Sequence, residues 1–252
     1  MRGFFALIAM SIGIGIALAF LTTNHNHSTK INSEAVQYLN LGKQNYDAGD
    51  YSDAISNYTK AIELSPNYSD LYVYRGNAYS ALKKYEEAIL DFSRAIEIDP
   101  NNSWAYVNRS VDYNNVNKYE EAITDCTRAI QLGSYDSSAY FNRAIAYSSM
   151  ENFDQAISDY TKTIDLDPQN FGAYYNRGNV YYKLHKYSES ILDFTKAIEL
   201  KSNDSNVYFC RGRSYHFSQT NRRDLAIEDL KKALEINPDN DGAKFLLKII
   251  SK

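Results

Sequence analysis

Apolar residues recur at intervals of three and four along most of this chain, as they do at Ile89, Phe92 and Ile96. Such spacing places apolar side chains on one side of an α-helix. Polar breaks interrupt the pattern at residues 82–85 (LKKY) and 99–102 (DPNN), and a proline disfavours helical backbone at the residue before it. The pattern therefore predicts short, one-sided helices arranged in pairs.

The pattern returns with a period of 34 residues. One tyrosine position shows the period throughout: Tyr38, Tyr72, Tyr106, Tyr140, Tyr174 and Tyr208. The four prolines follow it too, although Pro238 comes two residues late, which indicates a two-residue insertion near residues 218–223. Two short helices alone bury too little apolar surface to be stable, so the period predicts stacked helix pairs that depend on their neighbours.

The second unit resembles a tetratricopeptide repeat. The residues that match this family in order and spacing are Tyr72, Gly76, Tyr79, Ala88, Phe92, Ala95 and Pro100. The resemblance covers residues 35–240 and implies an all-α fold, a right-handed superhelical solenoid of about six helix-turn-helix units. The implied units are 35–68, 69–102, 103–136, 137–170, 171–204 and 205–240.

Some units depart from the family pattern. Leu41 and Asn45 make the first unit begin differently from the others, and Thr163 replaces a small alanine in the fourth. Ser134 and Ser202 replace the proline at the end of the third and fifth units. These departures affect single positions and leave the predicted fold unchanged.

A last segment, residues 241–252, follows the repeats and is predicted to be a capping helix. A terminal repeat needs its exposed apolar face covered. The residues expected to cover it are Phe245, Leu246, Ile249 and Ile250.

The segment from Phe4 to Leu21 is apolar and carries no charge over 18 residues. A helix of this length can just cross a bilayer, and Arg2 in front of it would remain cytoplasmic, which puts the repeats on the non-cytoplasmic side. The alternative is a signal peptide cleaved after Ala19, which would leave a periplasmic or secreted protein. Residues 22–34 are polar and predict a flexible linker.

Charge and composition indicate no catalytic chemistry. The net charge is −4 with both signs mixed along the chain, which argues against a nucleic-acid partner. Cys126 and Cys210 lie in different repeats, and His185 and His216 are isolated. With no clustered polar residues outside the repeat, we expect a non-enzymatic protein without metal, cofactor or small-molecule substrate.

An arginine of the first helix and an aspartate of the second occur together in five units and are both absent from the first, which has Leu41 and Asn57 instead. This co-occurrence predicts ion pairs within each unit. The predicted pairs are Arg75 with Asp91, Arg109 with Asp125, Arg143 with Asp159, Arg177 with Asp193, and Arg211 with Asp229. The alternative is a ladder of arginines that binds anions.

The resemblance also implies that the first helix of each unit lines a concave, partner-binding groove. The residues carried over to it are Asn40, Trp104, Asn108, Phe141, Asn142, Tyr175, Asn176, Asn179, Phe209 and Arg213. Aromatic and amide side chains suit an extended peptide or a partner helix, although the row Phe141, Tyr175 and Phe209 could equally belong to the core. Relatives that grip acidic chaperone tails use lysines where this chain has Val73 and Val107, so we expect no tight binding of such tails.

The sequence as a whole indicates a membrane-tethered scaffold that binds a protein or peptide partner. Two alternatives stay open, a secreted or periplasmic soluble adaptor and a regulatory subunit of an enzyme. The repeat array alone does not identify the partner, because one solenoid architecture serves many processes.

Overall fold

The computed structural model describes residues 31–133, 137–201, 203–218 and 222–251. This part of the chain is helical and contains no strand. Its helices are α1 (Ser33–Ala48), α2 (Tyr51–Leu64), α3 (Ser69–Ala81), α4 (Tyr85–Ile98), α5 (Ser103–Asn115), α6 (Tyr119–Gln131), α7 (Ser137–Ser149), α8 (Phe153–Leu166), α9 (Phe171–Lys183), α10 (Tyr187–Leu200), α11 (Ser205–Phe217), α12 (Arg223–Ile236) and α13 (Asp241–Ile250).

The helices divide between two compact units, Met1–Ser134 and Tyr135–Lys252. Within each unit the first and second helices of a pair pack against each other, and each second helix packs against the first helix of the next pair. First helices also contact the next first helix, as α3 contacts α5 and α9 contacts α11. No two second helices of the described chain make a comparable contact, so the first helices form the inner side of each stack.

Asparagine side chains cap the starts of α1, α5, α9 and α13. The side chain of Asn102 accepts a hydrogen bond from the Ala105 amide at 3.2 Å, and Asn240 does the same for Ala243 at 3.0 Å. Asparagine is favoured at this position because its oxygen satisfies an amide that has no partner in the helix. Asn102 also donates to the hydroxyl of Ser69, at the start of the preceding first helix, at 3.2 Å. The cap thus ties one helix pair to the next.

The turn between the two helices of a pair uses one left-handed residue. Its φ angle is 85° at Gly49, 60° at Lys83, 61° at Asn117, 62° at Glu151 and 58° at His185. These residues recur at the 34-residue period. A side chain other than glycine or asparagine is strained there, so the turn geometry comes from the packing of the helices it connects.

Small residues let the paired helices approach closely. A methyl group added at Gly76 would lie 2.7 Å from the ring of Phe92, and one at Gly178 would lie 3.0 Å from Phe194. Both rings are buried, so the glycine is needed for the ring to fit. In the third pair the ring is replaced by the buried Cys126.

Only two of the four apolar residues of the last helix that were predicted to cover the end of the second unit are buried. Leu246 and Ile250 of α13 are buried, whereas Phe245 and Ile249 are 69% and 48% exposed. The prediction that all four cover the last repeat is therefore wrong for two of them. Neighbouring helix residues point about 100° apart, so both pairs cannot face one narrow stripe.

Several sequence predictions fall outside the described residues. These are the hydrophobic helix at 4–21, residues 22–30 of the linker, Ser134, Ser202 and the central part of the insertion at 219–221. Helix α1 begins at Ser33. None of the helices in the described part of the chain is both long and apolar enough to cross a membrane.

Candidate binding surface on the first helices

The candidate site is the surface formed by the first helices, which we call the inner face. Each unit has its own inner face, formed by α1, α3 and α5 in the first unit and by α7, α9 and α11 in the second. Two kinds of polar residue lie on these helices. Residues of the first kind form hydrogen bonds or ion pairs within the fold. Residues of the second kind lack such partners or are exposed.

The repeating arginines belong to the first kind. In each of the five predicted pairs, the arginine Nε and one terminal nitrogen donate to the two oxygens of the aspartate at 2.7–2.9 Å. The aspartates are buried. Such two-point pairing fixes geometry and charge together. The charge of each of these five arginines is therefore already paired with a carboxylate of its own helix pair.

Four of these arginines are seen to reach back to the preceding helix pair, a contact that the sequence analysis missed. The remaining terminal nitrogen donates to a hydroxyl 16 residues earlier, on the second helix of that pair. The acceptors are Thr59 for Arg75, Ser93 for Arg109, Thr161 for Arg177 and Thr195 for Arg211, at 2.8–3.2 Å. The signal was present in the sequence, because Ser or Thr recurs at this position with the 34-residue period.

Two tyrosine positions flank each arginine and account for part of the high tyrosine content. The guanidinium carbon of Arg109 lies 5.8 Å from the centre of the Tyr106 ring and 5.5 Å from that of Tyr113. Aromatic faces attract cations at these distances. Tyr106 belongs to the tyrosine row that first revealed the period.

The first pair replaces this network with neutral groups. Asn57 donates to the side-chain oxygen of Asn45 at 2.9 Å, and Leu41 is 47% exposed. No helix pair precedes α1 in the described chain, so an arginine here would have no hydroxyl behind it among those residues. The Asn45–Asn57 hydrogen bond thus takes the place of the ion pair in this first pair.

The inner face of the first unit carries three of the predicted groove residues. Trp104 is 54% exposed, and Asn40 is also exposed. Asn108 is half-buried and donates to the side-chain oxygen of Asn77 at 3.0 Å. The indole and these amides therefore offer apolar area and hydrogen-bonding groups on the same surface.

The predicted aromatic row in the second unit is half-buried and fills gaps between helices. A methyl group at Gly172 would lie 2.9 Å from the Phe141 ring, and one at Gly242 would lie 2.8 Å from Phe209. The Tyr175 ring lies 5.9 Å from Phe194 and the same distance from Phe171. Because each ring packs against the following helix, this row contributes mainly to the packing between repeats.

The predicted amides of the second unit differ in accessibility. Asn142 is buried, so its assignment to the open groove was wrong. Asn176 bonds the Tyr160 hydroxyl. Asn179 donates to the backbone oxygen of Tyr175 at 3.0 Å, and the buried Cys210 thiol lies 3.8 Å from its oxygen. Burial raises the pKa of this thiol, so Cys210 behaves as an apolar filler.

Arg213 is the remaining predicted residue, and its surroundings differ from those of the repeating arginines. Its guanidinium carbon lies 3.9 Å from the centre of the Tyr182 ring and 5.4 Å from that of Phe209. Its Nε–H is buried without a hydrogen-bond acceptor among the described residues. The inner face of the second unit therefore holds a stacked cation with spare donors.

The fold defines a class of protein, a repeat protein built from stacked helix pairs. Family models described as tetratricopeptide repeats match residues 42–83, 69–102, 92–124, 146–185, 172–204 and 207–240. The chain belongs to the tetratricopeptide-repeat family, as its signature residues predicted. Proteins of this fold generally act as protein-interaction scaffolds rather than enzymes.

Solved structures share the fold. PilW, described as a widely conserved type IV pilus biogenesis factor, is 16% identical over 86% of this chain and 99% of its own, with a TM-score of 0.77. PilF of Pseudomonas aeruginosa is 17% identical over 85% and 97%, with a TM-score of 0.75. YrrB, described as having an unusual peptide-binding site, is 22% identical over 76% and 97%, with a TM-score of 0.64. A comparison with curated proteins found no match.

Proposed function

We propose that the protein is a membrane-tethered scaffold whose inner face binds an extended segment of another protein. The observation that supports this most directly is the 54% exposure of Trp104 on α5, the helix that also carries the half-buried amide of Asn108. An exposed indole offers apolar area that a bound segment would remove from water. Amides beside it can pair with the backbone of a bound segment.

The tether in this proposal is the uncharged segment at residues 4–21, which places the repeats on the non-cytoplasmic side. The alternative, cleavage after Ala19, is favoured by the small residues that precede that bond. Membranes from cells that express the full chain separate the two proposals. A tethered protein has its full mass and stays in the pellet after carbonate extraction, whereas a cleaved protein begins at Phe20 and is soluble.

The binding proposal is tested with fluorescent random peptides and the full-length chain in a non-ionic detergent. We expect Trp104→Ala to weaken binding about tenfold or more, because buried aromatic anchors dominate peptide affinity. Leu90→Ala is the matched control, since Leu90 is 70% exposed but lies on a second helix. Equal affinity of the Trp104 variant and the wild type, or no binding of any peptide, would contradict the proposed function.

A further inference from the structure

One arginine on the inner face of the second unit, Arg213, has no ion-pair partner among the described residues. Arg211 of α11 is paired with Asp229 at 2.8 Å, but Arg213, two residues later, forms no ion pair with any carboxylate of the described residues. Its buried Nε–H also lacks an acceptor there. A buried donor without a partner is costly, and an anion bound at the other nitrogens of this half-buried guanidinium would pair its charge.

The structure holds Arg213 in one orientation. Its guanidinium lies 3.9 Å from the centre of the Tyr182 ring, which supports the flat face of the group and leaves its N–H donors at the edge for an acceptor. The cation is therefore pre-oriented for an acceptor.

An aromatic cluster with one exposed ring adjoins this arginine. The ring centres of Tyr182, Tyr187 and Phe217 lie 5.6–6.2 Å apart, and Phe217 is 47% exposed. Tyr187 belongs to an aromatic row of the repeat, with Tyr51, Tyr85, Tyr119 and Phe153, whereas Tyr182 and Phe217 depart from most copies. The period-related residues are Tyr46, Ser80, Asn114, Ser148 and His216 for Tyr182, and Asp47, Ala81, Asn115, Ser149 and Lys183 for Phe217.

We propose that Arg213 and the aromatic cluster bind a partner segment in which an acidic side chain stands beside an apolar one. The carboxylate pairs with the guanidinium, and the apolar side chain packs on Phe217. A single planar guanidinium matches the two oxygens of a carboxylate, whereas phosphorylated segments are usually held by clusters of arginines. This inference rests on the proposed function, because it extends the binding of a protein segment to the inner face of the second unit.

The site differs from the grip on acidic chaperone tails that the sequence excludes. That grip takes a terminal carboxylate with lysines at positions where this chain has Val73 and Val107. Here an internal acidic residue suffices, because the contact needs one guanidinium and one apolar surface. The site is built within α9, α10 and α11, where Tyr182, Tyr187 and Arg213 lie.

The test uses three fluorescent peptide pools, random except for a central Glu-Leu, Gln-Leu or phosphoserine-Leu, with the full-length chain in non-ionic detergent. Anisotropy titrations should show about tenfold tighter binding of the Glu pool than of the Gln pool, as expected for a charge-assisted hydrogen bond. Arg213→Gln should abolish this preference. Arg222→Gln, which removes one positive charge at the start of α12, should retain it.

The outcomes separate this inference from the proposed function. If the wild type binds the Glu and Gln pools equally, or if Arg213→Gln keeps the preference, the inner face binds peptides but this site is wrong. Tighter binding of the phosphoserine pool than of the Glu pool overturns the carboxylate assignment. If no pool binds, both proposals fail. The comparison of pools on the wild type needs no variant, so a misfolded variant does not prevent the decision.

Discussion

Arg109 donates two hydrogen bonds to Asp125, at 2.7 and 2.8 Å, and both residues belong to one helix pair. A third hydrogen bond, at 2.8 Å, runs from the same guanidinium to Ser93 in the preceding pair. One side chain thus closes its own repeat and links it to its neighbour. In a stack whose stability depends on neighbour contacts, this link adds to the cooperativity between repeats.

We predict that Arg109→Leu destabilises the protein more than the double change Arg109→Leu with Asp125→Asn. The single change leaves a buried carboxylate unpaired, which costs about 3–5 kcal/mol. The double change removes that charge and should recover about half of the loss, since a neutral amide is cheaper to bury. Thermal unfolding followed by circular dichroism measures both variants. Additive losses in the double variant would contradict the coupling.

The link between repeats is tested by Ser93→Ala. Loss of the acceptor for Arg109 should cost about 1–2 kcal/mol, because a charged donor is left without its third partner. Thr124→Ala is the matched control. Its hydroxyl bonds only the Glu120 backbone oxygen within the same helix, so it should change stability by less than about 0.5 kcal/mol. Equal effects of the two changes in urea unfolding would show that the link contributes nothing.

We predict that Lys83→Gly stabilises the protein by about 1 kcal/mol. Lys83 has a φ of 60°, a conformation that a lysine pays to adopt and a glycine does not. Asn117→Gly, at the equivalent turn with a φ of 61°, should gain less because asparagine tolerates this region. The measurement is the shift of the thermal midpoint for each variant. A lower midpoint for Lys83→Gly would mean that its side chain makes a stabilising contact.

The buried carboxylate of Asp112 should make the stability of the protein depend on pH. This residue is fully buried on α5, where the equivalent residues Ala78 and Ala146 are alanines. The Ser80 hydroxyl donates to one carboxylate oxygen at 2.7 Å, and the other oxygen has no partner among the described residues. Burial raises the pKa of Asp112 to about 7, against an ordinary value near 4.

Because the folded state holds this proton more tightly than the unfolded state, stability should fall as the pH rises from about 4 to about 7 and change little above that. Asp112→Asn should remove this part of the pH dependence. Asp112→Ala should stabilise the protein at pH 8 by about 1–3 kcal/mol, since it removes a buried charge. Unfolding midpoints at pH 5.5 and pH 8 test both expectations. An unchanged pH slope in Asp112→Asn would assign the effect to another group.

The family and the helical fold were readable from the chain because they depend on a local, repeated signal. The 34-residue period follows from identical contacts between neighbouring pairs, so every copy of Tyr106 or Gly76 reports the same environment. The co-occurrence of Arg109 and Asp125 is a signal of the same kind. The Ser or Thr position represented by Ser93 recurs with the same period, and the sequence analysis did not use it.

The binding residues were harder to infer from the sequence, because the exposure of a side chain depends on the helices packed around it. Asn108 and Asn142 hold the same repeat position, yet Asn108 is half-buried and Asn142 is buried. Phe141 and Phe209 looked equally suited to groove or core until their contacts with the following helices were visible. Residues that depart from the period, such as Arg213, are candidates for a binding site. The sequence does not show whether a neighbouring side chain of the fold already pairs with them.

The sequence by itself determined that this is a tetratricopeptide-repeat protein of paired helices, because repetition makes each contact predictable from its copies. Only the tertiary structure decided which side chains of the first helices are buried by packing, which remain exposed, as Trp104 does, and which lack an ion-pair partner among the described residues, as Arg213 does. The physical reason is that exposure and pairing are properties of neighbouring helices together, and they are not encoded at any single position of the repeat.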